Sequence, residues 1–331
     1  MKFEEILELA ERFEEKVINF RHDFHAHPEL SWEEERTSKI IEQVLRELGF
    51  DGVRRGFGGT ESGVVGDIAG KKEFPIVALR ADIDALPIEE EADVPWKSTN
   101  KGVMHACGHD AHAAILLGVA HVLASLRDKL PCKVRLIFQP AEESGVRSGA
   151  QQLIEEGVLD GVEAIWGLHV WSPLPAGAIG YRSGPIMASS DIWEAEIKGK
   201  GGHSSRPHEA KDPTIAAANI IMSVQTIISR ELDPLETAVL SIGRLESGSA
   251  PNIIPDKAFI QGSIRTTNSK VRDGLPEKIE RIAKGIGSAL RCEVETNYIH
   301  VYPVTVNDLN MIETLKEVAS VMFGDKSLVE V

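Results

Sequence analysis

In the first half of the chain, short apolar runs of strand length alternate with segments of helical periodicity. The strand-like runs are Gly63–Ile68, Ile76–Leu79, Val134–Phe138 and Ala164–Leu168, and a helix is predicted from about Ala111 to Leu126. Strands that alternate with helices usually form a largely parallel sheet covered by helices, with its chemistry at the carboxyl ends of the strands. The pattern therefore predicts an α/β fold with a mostly parallel sheet and flanking helices.

The N-terminal part, residues 1–48, is predicted to be rich in helix because its apolar residues recur at helical spacing. The segment Ser31–Glu34 has the form of a capping box, which predicts a helix over Thr37–Leu48. His22, His25 and His27 are interpreted as part of a turn and not as metal ligands.

Residues 186–302 have a different order of elements. Strand-like and helical segments follow one another as β-α-β-β-α-β, over Ile192–Ile197, Pro213–Ile228, Ala238–Leu245, Ala258–Ile264, Val271–Leu290 and Cys292–Ile299. This order is that of the ferredoxin-like split unit. Because a helical pattern resumes from Val306 onward, we predict that residues 186–302 form an inserted lid or dimerisation domain. Residues 1–185 and 303–331 are then the catalytic, metal-binding domain.

The composition argues against two classes of partner. The chain has 36 basic and 51 acidic residues, a net charge of −15, and a surface this acidic repels nucleic acid and anionic membranes. No segment reaches the roughly 18 uninterrupted apolar residues of a membrane span, and the acidic N-terminal segment is unlike a signal peptide. Cys107, Cys132 and Cys292 are too few and too widely spaced for a disulfide framework. We therefore expect a cytoplasmic protein that acts on small molecules.

Residues that can bind a metal ion follow the ends of the strand-like runs. Cys107 and His109 are two residues apart, Glu142 and Glu143 follow the third run, and His169 follows the fourth. Thiolate and imidazole ligands can fix a metal ion, and a further carboxylate can deprotonate a water bound to it. The pattern favours a metal-dependent amide hydrolase. The alternatives are a Cys–His nucleophilic pair, a solvated acidic loop or structural histidines.

The two adjacent carboxylates suit two different tasks, since neighbouring side chains diverge in an extended segment. We expect Glu143 to bind metal and Glu142 to hold and deprotonate the water, then to return the proton to the leaving amine. Asp84 is expected to orient a ligand imidazole through the other nitrogen of its ring. Three further residues are weaker candidates for a catalytic role: Asp82, Asp110 and His112. The alternatives are a helix cap for Asp110 and internal packing for His112.

Five motifs occur in a specific order, namely M-H-A-C-G-H-D-A-H, F-Q-P-A-E-E, G-L-H-V, G-K-G-G-H-S-S-R-P-H and P-N-I-I-P-D. With them the chain resembles the amidohydrolase branch of the aminoacylase/carboxypeptidase metallopeptidases, which includes hippurate hydrolases, indole-acetyl–amino acid hydrolases and N-acyl-amino-acid deacetylases. The resemblance runs from Arg21 to Asn307. It implies a two-metal, aminopeptidase-like catalytic domain with an inserted domain, assembled as a homodimer or homotetramer. The implied reaction cleaves an amide next to a free carboxylate, in an N-acyl amino acid or a short peptide.

The resemblance also implies roles for individual residues. The positions that match the metal ligands of the family are Cys107, His109, Glu143 and His169. His203 matches a histidine that polarises the scissile carbonyl, often from the partner subunit, and such a donor commonly lowers the barrier by roughly 3–4 kcal/mol. Asn252 and Arg265 match positions that bind the substrate carboxylate, although an ordinary surface arginine is the alternative for Arg265. The implied cofactor is two divalent metal ions per subunit. Zinc is favoured by these ligands, and manganese, cobalt or nickel also suit them.

One departure from the family pattern concerns the last part of the chain. In the family the catalytic domain continues to a final histidine ligand, whereas no histidine follows His300 in this sequence. With only four protein ligands for two ions, we expect the second ion to bind weakly and hydrolysis to be slow or absent. The alternative function is therefore a catalytically impaired metal-binding dimer.

Overall fold

A computed structural model describes residues 3–331 of the chain. The chain divides into two compact units, a first that extends to Ala176 and a second formed by Gly177–Val331. Among the described residues we find no helix with the length and hydropathy needed to span a bilayer.

The first unit is an α/β structure. Its helices are α1 (Phe3–Ala26), α2 (Glu35–Glu47), α3 (His109–Ser125) and α4 (Gly149–Glu155). Its strands are β1 (Asp51–Arg55), β2 (Val64–Ile68), β3 (Ile76–Asp82), β4 (Lys133–Gln139) and β5 (Val162–Gly167). Each strand-like run in this part of the sequence is found as a strand, with bounds that differ by a few residues from the prediction.

The strands of this unit form a mixed sheet in the order β1-β2-β4-β3-β5. β3 lies between β4 and β5 and is parallel to both, whereas β2 is antiparallel to β4 and to β1. The prediction of a mostly parallel sheet is therefore right for the strands that lead to the polar residues and wrong for β2. Since three parallel neighbours end at the same edge, the segments that follow them meet there.

Side chains of β4 alternate between two apolar clusters because successive residues of a strand point to opposite faces. Leu136 and Phe138 pack with α1, α2 and α3, and Ile137 packs on the other face with Phe57 and Leu153. Apolar packing on both faces of the sheet therefore fixes the position of the carboxyl end of β4.

Two local expectations for the N-terminal part are corrected. α2 begins at Glu35 without a side-chain cap from Ser31, whose hydroxyl instead donates to Asp84 Oδ2 at 2.7 Å. Two N–H groups in the first turn of α2, those of Arg36 and Thr37, donate to the carboxylate of Glu29 at 2.9 and 2.8 Å. The capping box is therefore wrong, because an upstream carboxylate already satisfies these donors.

The histidines assigned to a turn form the second correction. His22 and His25 lie within α1, and His25 is buried, with its ring nitrogens 2.9 Å from Asp110 Oδ2 and 3.1 Å from Glu90 Oε1. The predicted turn therefore applies to neither of them. Charged partners replace the solvent that a turn would have given to the His25 ring.

The second unit contains helices α5 (Pro213–Thr226), α6 (Ser269–Ala289) and α7 (Leu309–Phe323). Its longer strands are β8 (Ser190–Lys198), β10 (Ala238–Ser247), β12 (Lys257–Thr266) and β13 (Glu293–Tyr302), which form an antiparallel sheet in the order β10-β12-β8-β13. Alternate residues of β8, among them Trp193 and Ile197, are buried in one apolar cluster with α5 and α6. Helices thus cover one face of this sheet.

Short strands complete the second unit, namely β6 (Ile179–Tyr181), β7 (Gly184–Met187), β9 (Gly202–His203), β11 (Ile253–Ile254), β14 (Thr305–Asn307) and β15 (Leu328–Glu330). β14 pairs with β7, and β15 pairs in parallel with β6. The segment after residue 303 therefore pairs with residues 179–187. That residues 303–331 belong to one catalytic domain with residues 1–185 stays a prediction.

Candidate metal centre

A tight turn before α3 brings Cys107 and His109 to the carboxyl edge of the sheet. Gly108 between them has a φ of +84°, a left-handed conformation that favours glycine. A Cβ at Gly108 would also lie 2.4 Å from Cγ2 of Val170, so a larger residue could not pack here. The sequence C-G-H thus lets the thiol and the imidazole approach the segment that follows β5.

His169 lies in that segment, directly opposite Cys107. Its Nε2 is 3.3 Å from Cys107 Sγ, and its Nδ1 is 2.7 Å from the carbonyl oxygen of Val170. Because a carbonyl only accepts, Nδ1 carries the proton, and a neutral His169 presents a bare Nε2 to the thiol. The proximity of the His109 and His169 rings lowers the pKa of Cys107, which favours the thiolate form that binds metals.

His109 is fully buried and has one ring nitrogen in use. Its Nδ1 is 3.1 Å from Asp84 Oδ1, whereas its Nε2 has no hydrogen-bond partner among the described residues. A buried nitrogen without a partner is costly unless a cation or a polar group meets it. Burial lowers the pKa of His109, but contacts with Asp84, Cys107 and Asp82 outweigh this and raise it to about 11. The surroundings of Nε2 are therefore strongly negative and attract positive charge.

Asp84 holds three elements of the site together. Besides His109 it contacts the backbone N–H of Glu143, which donates to Oδ2 at 2.8 Å, and the hydroxyl of Ser31. Asp84 is itself buried, yet these donors lower its pKa and keep it ionised. The orienting contact that the sequence predicted for Asp84 is thus present in the structure.

The two adjacent glutamates follow β4 through an unusual backbone conformation at Ala141, whose φ is +50°. The N–H of Ala141 donates to the buried carboxylate of Glu34 at 2.7 Å, and its carbonyl accepts from the N–H of Gly149 at 3.1 Å. Both polar groups of this strained residue are therefore fixed, which sets the directions of Glu142 and Glu143.

The glutamates differ in their surroundings. Glu143 Oε1 lies 3.9 Å from Nε2 of His109, the nitrogen without a partner. Burial, followed by the negative charges of Glu143 and Asp82, raises the pKa of Glu142. A carboxyl with a raised pKa is better suited to accept and return a proton than one that is always ionised.

The donor atoms fall into overlapping groups that fit a divalent metal. Within each group the atoms lie no more than 4.8 Å apart, and the groups are Cys107, His109 and His169; His109, Glu142 and Glu143; and Asp82, His109 and His112. The first two groups contain all four predicted ligands and share His109. A thiolate, imidazoles and carboxylates next to an unpartnered buried nitrogen form a donor set that suits zinc and similar ions.

Asp82 and His112 belong to the site more closely than the sequence indicated. Both are buried, and His112 Nδ1 is 2.5 Å from Asp82 Oδ1. Burial disfavours the charged form of Asp82, but the bond from His112 and the charges of Arg80 and His109 outweigh it and lower its pKa. The position of Asp82 at the carboxyl end of β3 was the sequence signal that could have placed it in the site. Its pairing with a residue thirty positions later could not be read from the sequence.

Asp110 takes part in a different network. Its Oδ2 lies 2.9 Å from His25 Nδ1 and 3.3 Å from Nε of Arg21, so it joins α3 to α1. Asp110 therefore has a structural explanation in the contact between these helices.

The remaining predicted residues belong to the second unit. His203 and Asn252 line an open cleft of about 720 Å³ together with glycines of the His203 loop. β9 pairs with β11 so that His203 lies opposite Ile253, and the N–H of Ser204 donates to the carbonyl of Asn252 at 3.1 Å. Arg265 lies on β12, exposed, and is not among the residues that line this cleft.

Comparison with known proteins agrees with this chemistry. Residues 78–331 match the sequence profile of peptidase family M20/M25/M40. The chain is 43% identical over 312 residues to a thermostable carboxypeptidase of Saccharolobus solfataricus, covering 94% of this chain and 79% of the relative. It is 43% identical over 295 residues to an N-acetyl-L-cysteine deacetylase of Bacillus subtilis, covering 89% of this chain and 70% of that protein.

A solved dinuclear metal-binding peptidase of the M20 family from Bacillus subtilis has the same fold. It superposes with a TM-score of 0.83 at 37% identity, covering 97% of this chain and 82% of the peptidase. These similarities to hydrolases do not favour the alternative of a catalytically impaired metal-binding dimer. The chain belongs to peptidase family M20 and is a metal-dependent hydrolase of C–N bonds.

Proposed function

We propose that this protein is an amidohydrolase that cleaves N-acyl amino acids into a carboxylic acid and a free amino acid. The observation that carries the proposal is the buried Nε2 of His109, which has no partner among the described residues and lies beside Glu143. The named activities of the relatives, deacetylation of N-acetyl-L-cysteine and carboxypeptidase action, support an amide substrate with a free carboxylate.

The ligands that would hold two divalent ions are Cys107, His109, Glu143 and His169. Zinc is the proposed metal because the set combines a thiolate with imidazoles and a carboxylate, and manganese, cobalt and nickel are the alternatives. When bound, such ions polarise the substrate carbonyl and lower the pKa of water. Asp84 holds His109 in the tautomer that leaves Nε2 available for this role.

Glu142 is the proposed general base. Water adds to the carbonyl carbon of the amide while Glu142 accepts its proton, and the C–N bond then breaks as the carboxyl returns that proton to the leaving nitrogen. The raised pKa of Glu142 suits both transfers. Its carboxylate lies within 4.8 Å of the ligand atoms of His109 and Glu143, which is close enough to serve a water bound there.

His203, Asn252 and Arg265 are proposed to recognise the substrate. The N–H of Ser205 donates to Nδ1 of His203 at 3.2 Å, so a neutral His203 carries its proton on Nε2 and can donate it to a carbonyl oxygen. Arg265 and Asn252 are proposed to bind the substrate carboxylate, for which a guanidinium is well suited.

The sharpest test compares two isosteric variants. Glu142→Gln keeps size and hydrogen bonding but cannot accept a proton, so hydrolysis of N-acetyl and N-benzoyl amino acids should fall by a factor of roughly 100 or more while the metal content persists. Glu143→Gln should lower the metal content itself, and the exposed Glu163→Gln serves as the control. Near-parental rates in both site variants would refute the mechanism.

We also propose that the second unit is a ferredoxin-like insertion that forms a homodimer or tetramer. Support for the topology comes from the sheet order β10-β12-β8-β13 with two helices on one face. Support for association comes from exposed apolar side chains on the outer face of α5 and on the edge strand β10, where Ile215, Met222 and Val239 are exposed by 51%, 72% and 53%. The cytoplasm is the proposed location because reducing compartments preserve a free thiol such as Cys107.

A further inference from the structure

The pair formed by Asp82 and His112 is buried at the carboxyl edge of the first sheet. Each residue is 1% exposed, and the carboxylate of Asp82 is held from the other side by Nη1 of Arg80 at 2.7 Å. Burying such a pair is costly, so a role beside the candidate ligands is expected for it. The hydrogen bonds of His112 indicate that role.

His112 is not free to act as a ligand in this arrangement. The backbone N–H of Val170 donates to its Nε2 at 2.9 Å, and an N–H can only donate. Nε2 is therefore the acceptor, and a neutral His112 carries its proton on Nδ1, which faces Asp82. Both nitrogens are occupied by protein atoms, although His112 lies close enough to His109 to belong to a candidate metal group.

Val170 carries this arrangement onward to His169. Its N–H is bound to His112, and its carbonyl accepts from Nδ1 of His169 at 2.7 Å. That second bond leaves Nε2 of His169 without a proton, 3.3 Å from Cys107 Sγ. The rings of His112 and His169 also meet edge to face, with centroids 4.7 Å apart.

We propose that Asp82 and His112 are positioning residues that fix the orientation and tautomer of His169 through the backbone of Val170. The need for such an anchor follows from the location of His169, which succeeds β5 at the edge of the sheet among exposed residues. Leu168 and Trp171, which flank His169 and Val170, are exposed by 50% and 51%, so these two side chains contribute little to holding the segment. The hydrogen bond from the N–H of Val170 to the buried His112 fixes the backbone of this segment instead.

The inference rests on the proposed function only in treating His169 as a metal ligand. Two substitutions at His112 test whether this residue positions His169. Glutamine places its side-chain oxygen near the position of Nε2 and can still accept from Val170, whereas asparagine is too short and keeps only the contact with Asp82. His121→Asn is the control, since His121 is a buried histidine of the same helix, stacked on Phe13, with no contact to the site.

The first measurement uses the metal-free protein labelled with 15N-histidine, in which long-range 1H–15N NMR reports the tautomer of His169; His169→Ala identifies its signals. We expect Nδ1–H in the parent, in His112→Gln and in His121→Asn, and a mixture of tautomers in His112→Asn. The second measurement is zinc affinity by competition with a chelator. His112→Asn should bind roughly 10–100-fold more weakly, and glutamine should restore most of the affinity.

Parental NMR signals and parental zinc affinity in His112→Asn would overturn the inference, as would equal losses in the glutamine and asparagine variants. Failure of the proposed function is a separate result, because it would appear as a parent protein that binds no zinc. The NMR comparison would still decide whether His112 positions His169.

Discussion

Glu34 is a buried carboxyl group whose titration should be visible in the stability of the protein. Its side chain is inaccessible to solvent; Oε1 accepts from the N–H of Ala141, and Oε2 has no hydrogen-bond partner among the described residues. Burial raises the pKa of Glu34 from its ordinary value of 4.5 to about 7, although the bond from Ala141 opposes this. The group is thus more easily protonated in the folded than in the unfolded chain.

The sign and size of the effect follow from that difference. Between pH 4.5 and pH 7 the folded state binds more protons than the unfolded state, so stability falls as the pH rises through this window. A pKa difference of about 2.5 corresponds to about 3.5 kcal/mol, at about 1.4 kcal/mol per pH unit. The penalty is absent below the window and complete above it.

Replacing Glu34 with glutamine should remove the penalty and keep the acceptor for Ala141. We expect Glu34→Gln to match the parent near pH 4.5 and to exceed it by up to about 3.5 kcal/mol in free energy of unfolding at pH 8. Urea denaturation of the metal-free protein at several pH values measures this difference, with the exposed Glu33→Gln as the control. A difference between parent and variant that does not change between pH 4.5 and pH 8 would refute the reasoning.

Three further predictions concern separate parts of the molecule. Cys107→Ala should reduce the number of metal ions retained after dialysis, as measured by elemental analysis, whereas Cys132→Ala should not; equal retention in both would remove Cys107 from the site. Arg272→Met leaves the buried carboxylate of Asp191, now paired at 2.8 and 2.6 Å, without its cation and should cost roughly 3–5 kcal/mol in thermal or urea unfolding; an unchanged midpoint would contradict this. Met222→Lys places a charge on the exposed face of α5 and should shift the sedimentation mass toward the monomer; an unchanged mass would contradict association through this face.

The sequence predicted the elements of the fold well where local patterns determine them. Apolar runs located the strands, and the residues placed after Phe138 and Leu168 do meet at one edge, because β3 is parallel to both neighbours. The direction of β2 was not predictable, since an isolated apolar run carries no information about its partner strand.

The parts that the sequence could not supply are contacts between distant segments. The spacing of Ser31 to Glu34 resembles that of a helix cap. In the structure both side chains instead form hydrogen bonds at the carboxyl edge of the sheet, Ser31 with Asp84 and Glu34 with the N–H of Ala141. Local rules assign such residues to local tasks. Only the folded arrangement shows that the start of α2 supports the segment carrying Glu142.

The hydrogen bonds of Asp84 show why the site responds as one unit. A single carboxylate accepts from His109, from the backbone of Glu143 and from Ser31, so it links the start of α3, the segment after β4 and the segment before α2. Its negative charge fixes the tautomer of His109, and its second oxygen fixes the backbone from which Glu143 extends. Removal of this one side chain would therefore release two proposed ligands together, whereas removal of His112 would release only His169. The two kinds of support come from different strands, Asp84 after β3 and Val170 after β5. They nevertheless act on His109 and His169, whose ligand atoms lie within 4.8 Å of each other, so their effects on metal binding should be coupled and not simply additive.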